Sequence, residues 1–114
     1  MPQNRNQLIN LFVGNLSNAV LHRILEKAIF ENQEIVAKYK KEIKNSWTIA
    51  KEYREKINPA NPPFPIQDRE EIRSSIIKRV KAELSLRISR GYKNLDISKV
   101  EMEVDEALIV LGVF

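Results

Sequence analysis

The sequence predicts an all-α fold: an antiparallel helical bundle of two long and two or three short helices, completed by oligomerisation. Three observations predict it. Apolar residues recur at three- and four-residue steps through most of the chain, the period of one helix face. Only three glycines occur in 114 residues, too few for the turns of an all-β protein. Four of the five prolines cluster between Pro59 and Pro65, between two long periodic stretches that must both stop there.

The totals set the class. A chain of 114 residues is expected to form one all-helical domain, 1–114, with 58–67 as a proline-rich interhelix connection. With 43% hydrophobic and 30% charged residues the composition is that of a globular chain. There is no cysteine, so disulfides, thiolate metal sites and cysteine catalysis are excluded. No uninterrupted apolar run approaches the roughly 18 residues of a membrane helix, and Met1 to Asn10 lacks the basic and apolar regions of a signal peptide. The expectation is a cytoplasmic protein with no membrane association.

In chain order, Gln7 to Val13 reads as a helical turn or two, with Leu8, Leu11 and Phe12 on one side and Gly14 ending it. Asn15 or Ser17 then caps a second helix, about 17–30, whose broad apolar stripe is Leu16, Val20, Leu21, Ile24, Leu25, Ala28 and Ile29. His22, the only histidine, falls off the centre of that stripe and is expected at a boundary or surface. Glu31 to Gln33 reads either as a turn or as continuing helix.

From Val36 the stripe resumes through Tyr39, Ile43, Trp47, Ala50, Tyr53 and Ile57. It predicts a long helix over about 34–57, roughly 33 Å from Val36 onward at 1.5 Å per residue. Its opposite face, with Lys38, Lys41, Glu42, Lys44, Glu52, Glu55 and Lys56, is a solvated charged surface. The proline-rich segment should be extended and stiff. Pro62 to Pro65 matches a PxxP peptide-ligand pattern, but a rigid interhelix connection accounts for it better.

Asp68 to Gly91 is the best-marked element. Asp68 and Glu71 make a capping-box pattern, and Ile72, Ile76, Val80, Leu84 and Ile88 recur every fourth residue, with Ile77 beside them. Gly91 stands where a helix takes a left-handed terminator, after Arg87 and Arg90 in the last turn. The helices at 34–57 and 69–90 are expected to run as an antiparallel pair. Ser98 and Glu101 repeat the capping pattern before a short helix, about 99–111, ended by Gly112. The nearly all-apolar tail, Ala107 to Phe114, must dock on its own core or on a second copy.

Charge is uneven. The net +4 of the chain is the sum of +3 over 1–68, +5 over 69–95 and −4 over 96–114. Arg73 and Arg87 fall on an apolar stripe, so each must snorkel or meet a carboxylate, and the acidic helix carrying Glu101, Glu103, Asp105 and Glu106 supplies partners within the chain or across a dimer.

The catalytic inventory is thin. No serine and carboxylate are placed around His22 to build a triad. Ser75-Ile76-Ile77-Lys78 matches Ser-x-x-Lys, but it sits mid-helix without the companion motifs. The Glu101/Asp105 and Glu31/Glu34 pairs lack the Glu-x-x-His steps of a di-iron bundle. No glycine-rich phosphate loop occurs. No catalytic residue, metal ligand or cofactor is expected.

The function expected is therefore a non-catalytic helical interaction or scaffold protein acting as a homo-oligomer, a homodimer first, with another protein as a further possible partner. Its interface residues would be Trp47, Tyr53, Arg73, Arg87, Leu108, Leu111 and Phe114. The alternative is a small nucleic-acid-associated protein using the basic 69–93 region through Lys78, Arg79, Lys81, Arg90 and Lys93. Those cations do not gather on one helical face, which weakens the alternative.

Overall fold

The computed structural model describes residues 4–28, 32–57 and 64–113. They form four α-helices: α1 (Arg5–Ala28), α2 (Gln33–Ile57), α3 (Ile66–Ser89) and α4 (Val100–Val110), with a 3-10 turn at Ile97–Lys99 leading into α4. The bundle measures 42 × 25 × 25 Å, its length set by the three long helices.

α1 is one helix, not two. It runs straight through Gly14, and Asn15 and Ser17 lie in its interior rather than at a cap. A glycine inside a helix costs about 1 kcal/mol against alanine. On either side of it Phe12, Val13, Leu16, Val20 and Leu25 are buried, and each buried apolar side chain contributes about 1.5–3 kcal/mol. Burial wins, and the helix continues. Its start is set by Asn4 and Gln7, which bond reciprocally: the Gln7 amide donates to Asn4 Oδ1 (2.8 Å) and the Asn4 amide to Gln7 Oε1 (3.1 Å).

α1 is also the central element. Both α2 and α3 pack on it, and among the described residues α2 and α3 make no close backbone contact with each other. The antiparallel 34–57/69–90 pair expected from stripe length is thus replaced by two pairings on α1. Asn18 meets Ser46 while Glu26 meets Lys40, so α1 and α2 run antiparallel. Arg5 meets Asp68, and Gly14 lies against Arg79, so α1 and α3 run parallel.

The reason lies in what α2 buries. Its fully buried positions are Ser46, Ala50 and Arg54, one residue per turn. Small side chains let the two helix backbones come close. The aromatics Tyr39, Trp47 and Tyr53 then flank the seam, half-buried, rather than fill a core. Asn32 begins α2, accepting from the amides of Glu34 (3.1 Å) and Ile35 (3.2 Å), so the stretch 17–57 is two helices. Residues 29–31 lie outside the described residues.

α3 starts at Ile66, with Pro65 as the residue before it, and Asp68 makes no capping bond. Asp68 instead sits in the first turn, where a carboxylate suits the helix dipole, and pairs with Arg5. Ile72, Ile76, Val80 and Leu84 are buried, whereas Ile88 lies past the N-terminal end of α4 and is exposed. The helix ends as its sequence predicts. Gly91 takes φ +97°, its amide donates to the Ile88 carbonyl (3.0 Å), and the Tyr92 amide reaches back to Arg87 (3.1 Å). Gly112 ends α4 in the same way, with φ +72° and the Val113 amide donating to the Leu108 carbonyl (3.0 Å). Before α4 the cap is Asp96 rather than Ser98: Asp96 Oδ1 accepts from the Ser98 amide (3.0 Å) and hydroxyl (2.6 Å).

Candidate interaction surface

α4 is the shortest helix and the most heavily fastened. Arg73 on α3 binds Asp105 with two bonds, Nε to Oδ1 at 2.6 Å and Nη2 to Oδ2 at 3.2 Å. This contact raises the Arg73 pKa, its hydrogen bond to Asp105 being the main cause. Lys81 on α3 reaches Glu101 at 3.2 Å, and Lys27 at the end of α1 reaches the buried Glu103 at 2.5 Å. Val100, Val104, Ala107 and Leu108 point into the core.

The C-terminal end of α4 is held by a residue that the sequence reading did not single out. Arg54 is 2% exposed, the largest fully buried side chain. Its Nε donates to the Leu111 carbonyl (2.9 Å) and its Nη2 to the Gly112 carbonyl (2.8 Å). Helix C-termini leave carbonyls without partners and carry partial negative charge, so a forked cation fits there. The guanidinium also stacks over the Phe64 ring, 4.5 Å from its centroid. Phe64 is buried, and its amide donates to the Val113 carbonyl (3.2 Å). Burial lowers the Arg54 pKa, and neighbouring Glu55 opposes the shift. The signal for this role was an arginine one helical turn from Ala50, itself a member of the apolar stripe, and two from Ser46.

With α4 so held, its outer face is left open. Met102 is 52% exposed, Ile109 62% and Val110 71%. Met102 and Ile109 are seven residues apart, two turns, and so share one line on the helix. Glu106, exposed and without an ion pair among the described residues, stands between Met102 and Val110. The helix thus carries apolar residues on two sides, Val104, Ala107 and Leu108 inward and Met102, Ile109 and Val110 outward, and the bundle buries only the first.

The residues expected at an interface are otherwise engaged. Ala107, Leu108, Leu111 and Val113 of the apolar tail are buried in the chain's own core, while Ile109 and Val110 are not. Arg73 pairs with Asp105 in the same chain, and Arg87 turns to Glu83 on its own helix (2.8 Å). Trp47 and Tyr53 are half-buried against the core edge. Phe114 lies outside the described residues.

The five cations of the nucleic-acid alternative are likewise dispersed. Lys78 and Arg79 line a groove between α1 and α3, Lys81 faces α4, and Arg90 and Lys93 stand exposed at and beyond the end of α3. His22 Nδ1 donates to the Asn18 carbonyl (2.7 Å), and the ring meets that of Tyr39 edge-on at 5.5 Å. The Tyr39 pKa is raised, chiefly by burial. Ser75 lines the α1–α3 groove, and Glu101 and Asp105 are both taken up in ion pairs with α3. Among the described residues no group of three or more His, Cys, Asp or Glu side chains could hold a metal ion.

Counted as uninterrupted apolar runs, nothing in the sequence reaches membrane length. Averaged over a window, however, α1 is long and apolar enough to cross a membrane, with mean hydropathy 1.2, and half of that window is buried within the bundle. Phe12, Leu16, Val20 and Leu25 supply that hydropathy and form the core.

Comparison of the sequence with protein-family models, with curated proteins and with solved structures finds no match.

Proposed function

We propose that this chain is a non-catalytic helical interaction protein that associates with a second copy of itself through the outer face of α4. One observation carries the reading: Met102, Ile109 and Val110 stand exposed on a helix whose other sides are fixed by ion pairs and by Arg54. A face that is already rigid loses little conformational entropy when it docks. Exposed apolar side chains gathered on one such face are the usual mark of a contact surface.

The contact would be symmetric, with α4 lying against α4 of the partner. It would also be modest, because three side chains cover far less than the ~800 Å² per partner of a standard interface. Glu106 sits within the face, so a symmetric contact brings two like charges together and holds the association weak.

Size-exclusion chromatography with light scattering over a wide range of concentration tests the reading. The expected result is concentration-dependent dimerisation, abolished by I109E/V110E and strengthened by E106Q. A monomer at every concentration, or a dimer indifferent to I109E/V110E, would overturn it.

A further inference from the structure

A groove runs along the seam of α1 and α3, on the side of α3 away from α4. Its upper part, about 520 Å³, is lined by Gly14, Ser17 and Asn18 of α1 and by Arg79, Glu83 and Arg87 of α3. Three features of its lining go unused by the fold. The Arg79 guanidinium has no hydrogen-bond or ion-pair partner among the described residues. The Ser17 hydroxyl is buried, its residue only 7% exposed, and has no hydrogen-bond partner among the described residues. A buried hydroxyl without a partner is costly and calls for one. Arg87 spends only Nη1, on the carboxylate and carbonyl of Glu83.

Gly14 belongs to the same arrangement. A Cβ at this position would lie 3.3 Å from Arg79 Nη1, so the missing side chain is what lets the guanidinium lie close over α1. A glycine is tolerated in mid-helix when a close approach requires it, and here the group approaching is a cation.

We propose that this groove binds the phosphoryl group of a small phosphorylated ligand. Two arginine forks and a hydroxyl line the one groove, three donor groups in all. A phosphoryl group offers three terminal oxygens to meet them, where a carboxylate offers two. The ligand is compact rather than a nucleic-acid strand, because the other cations of this region are dispersed, Lys81 facing α4 and Arg90 and Lys93 standing at and beyond the end of α3, and give an extended polyanion no continuous track. This site is separate from the α4 face and stands independently of the proposed self-association.

Titration of the full chain with inorganic phosphate and with glycerol phosphate, followed by amide shifts in 15N–1H spectra, tests the proposal, with sodium chloride at matched ionic strength as control. Saturable shifts at Gly14, Ser17 and Arg79 in both phosphate arms, absent in chloride, are expected. R79Q should weaken the affinity by about tenfold or more, the loss of a charge-assisted hydrogen bond. S17A and G14A should each weaken it while leaving the spectrum that of a folded chain. Saturable shifts with glycerol phosphate alone would still support the site and would assign it to the ester. Equal shifts in chloride, no saturation in either phosphate arm, or wild-type affinity in R79Q would overturn the proposal.

Discussion

Arg73 and Asp105 face each other across the α3–α4 seam in a two-bonded ion pair, Nε to Oδ1 at 2.6 Å and Nη2 to Oδ2 at 3.2 Å. The geometry is the fork-to-carboxylate arrangement that favours arginine over lysine. Both side chains are more than a third exposed, 38% and 35%, so solvent screens much of the attraction. D105N should therefore cost no more than about 1 kcal/mol, and the difference should shrink at high salt. Urea unfolding at low and high salt checks this. A loss of several kcal/mol that ignores salt would mean that the pair supports packing as well as charge.

Arg54 should be far less replaceable. R54M removes the donors that satisfy the Leu111 and Gly112 carbonyls and the cation over Phe64. The expected cost is about 3 kcal/mol or more, because hydrogen bonds to buried charged groups contribute most and orphaned carbonyls are left behind. R54K should recover little of this, since a single ammonium cannot reproduce the planar fork. Thermal unfolding of the two variants gives the comparison. Near wild-type stability in R54M would refute the capping role.

Two glycines should respond in opposite directions. Gly91 has φ +97° with no atom within 4 Å of the position a Cβ would take. The cost of G91A is therefore backbone strain alone, roughly 1–2 kcal/mol. Gly14 is helical, and the nearest atom to its added Cβ is the end of the flexible Arg79 side chain. G14A should raise stability by roughly 0.5–1 kcal/mol, the helix-propensity gain. Melting temperatures that moved the same way in both variants would contradict this account.

The turn before α4 carries a pH dependence. The Asp96 pKa is lowered, first by the hydrogen bonds from the Ser98 hydroxyl and amide. A carboxylate with a lowered folded-state pKa contributes stability above its unfolded value, near 3.9, and loses it as pH falls through the folded value. D96N should remove this contribution, so that the variant and the parent converge in stability at acid pH and differ at neutral pH. The Ser98 amide shift followed through an acid titration reads the cap directly, and a midpoint at or above the ordinary aspartate value would contradict the assignment.

Much of the local structure was legible because its causes are local. The terminators Gly91 and Gly112 follow from backbone sterics that only glycine relieves, and both take the left-handed conformation that this reading requires. The α3 stripe from Ile72 to Leu84 is buried as its four-residue spacing implies. The capping boxes were less secure. Asp68 and Ser98 match the pattern, yet the cap positions belong to Pro65 and Asp96, because a cap depends on which way the preceding chain arrives.

The candidate surface was legible only in part. The apolar end of the chain stood out, but Leu108 and Leu111 were expected to serve contacts that the core claims instead, while Met102, Ile109 and Val110 keep the outer side. Periodicity marks an apolar helix. It does not choose which of two apolar sides turns inward when a helix carries apolar residues on both.

By itself, then, the sequence determined the helical class, the periodic buried face of α3 and the glycine ends of α3 and α4, since these depend on residues within a turn or two of each other. Tertiary structure decided the rest. It carried α1 through Gly14, because burial on both sides outweighs one glycine. It set α1 between α2 and α3, because Ser46 and Ala50 permit an approach that the larger aromatics beside them would hold apart. And it made Arg54 the fastening of α4, because the carbonyls it satisfies lie 57 and 58 residues away along the chain and are brought to it only by the fold.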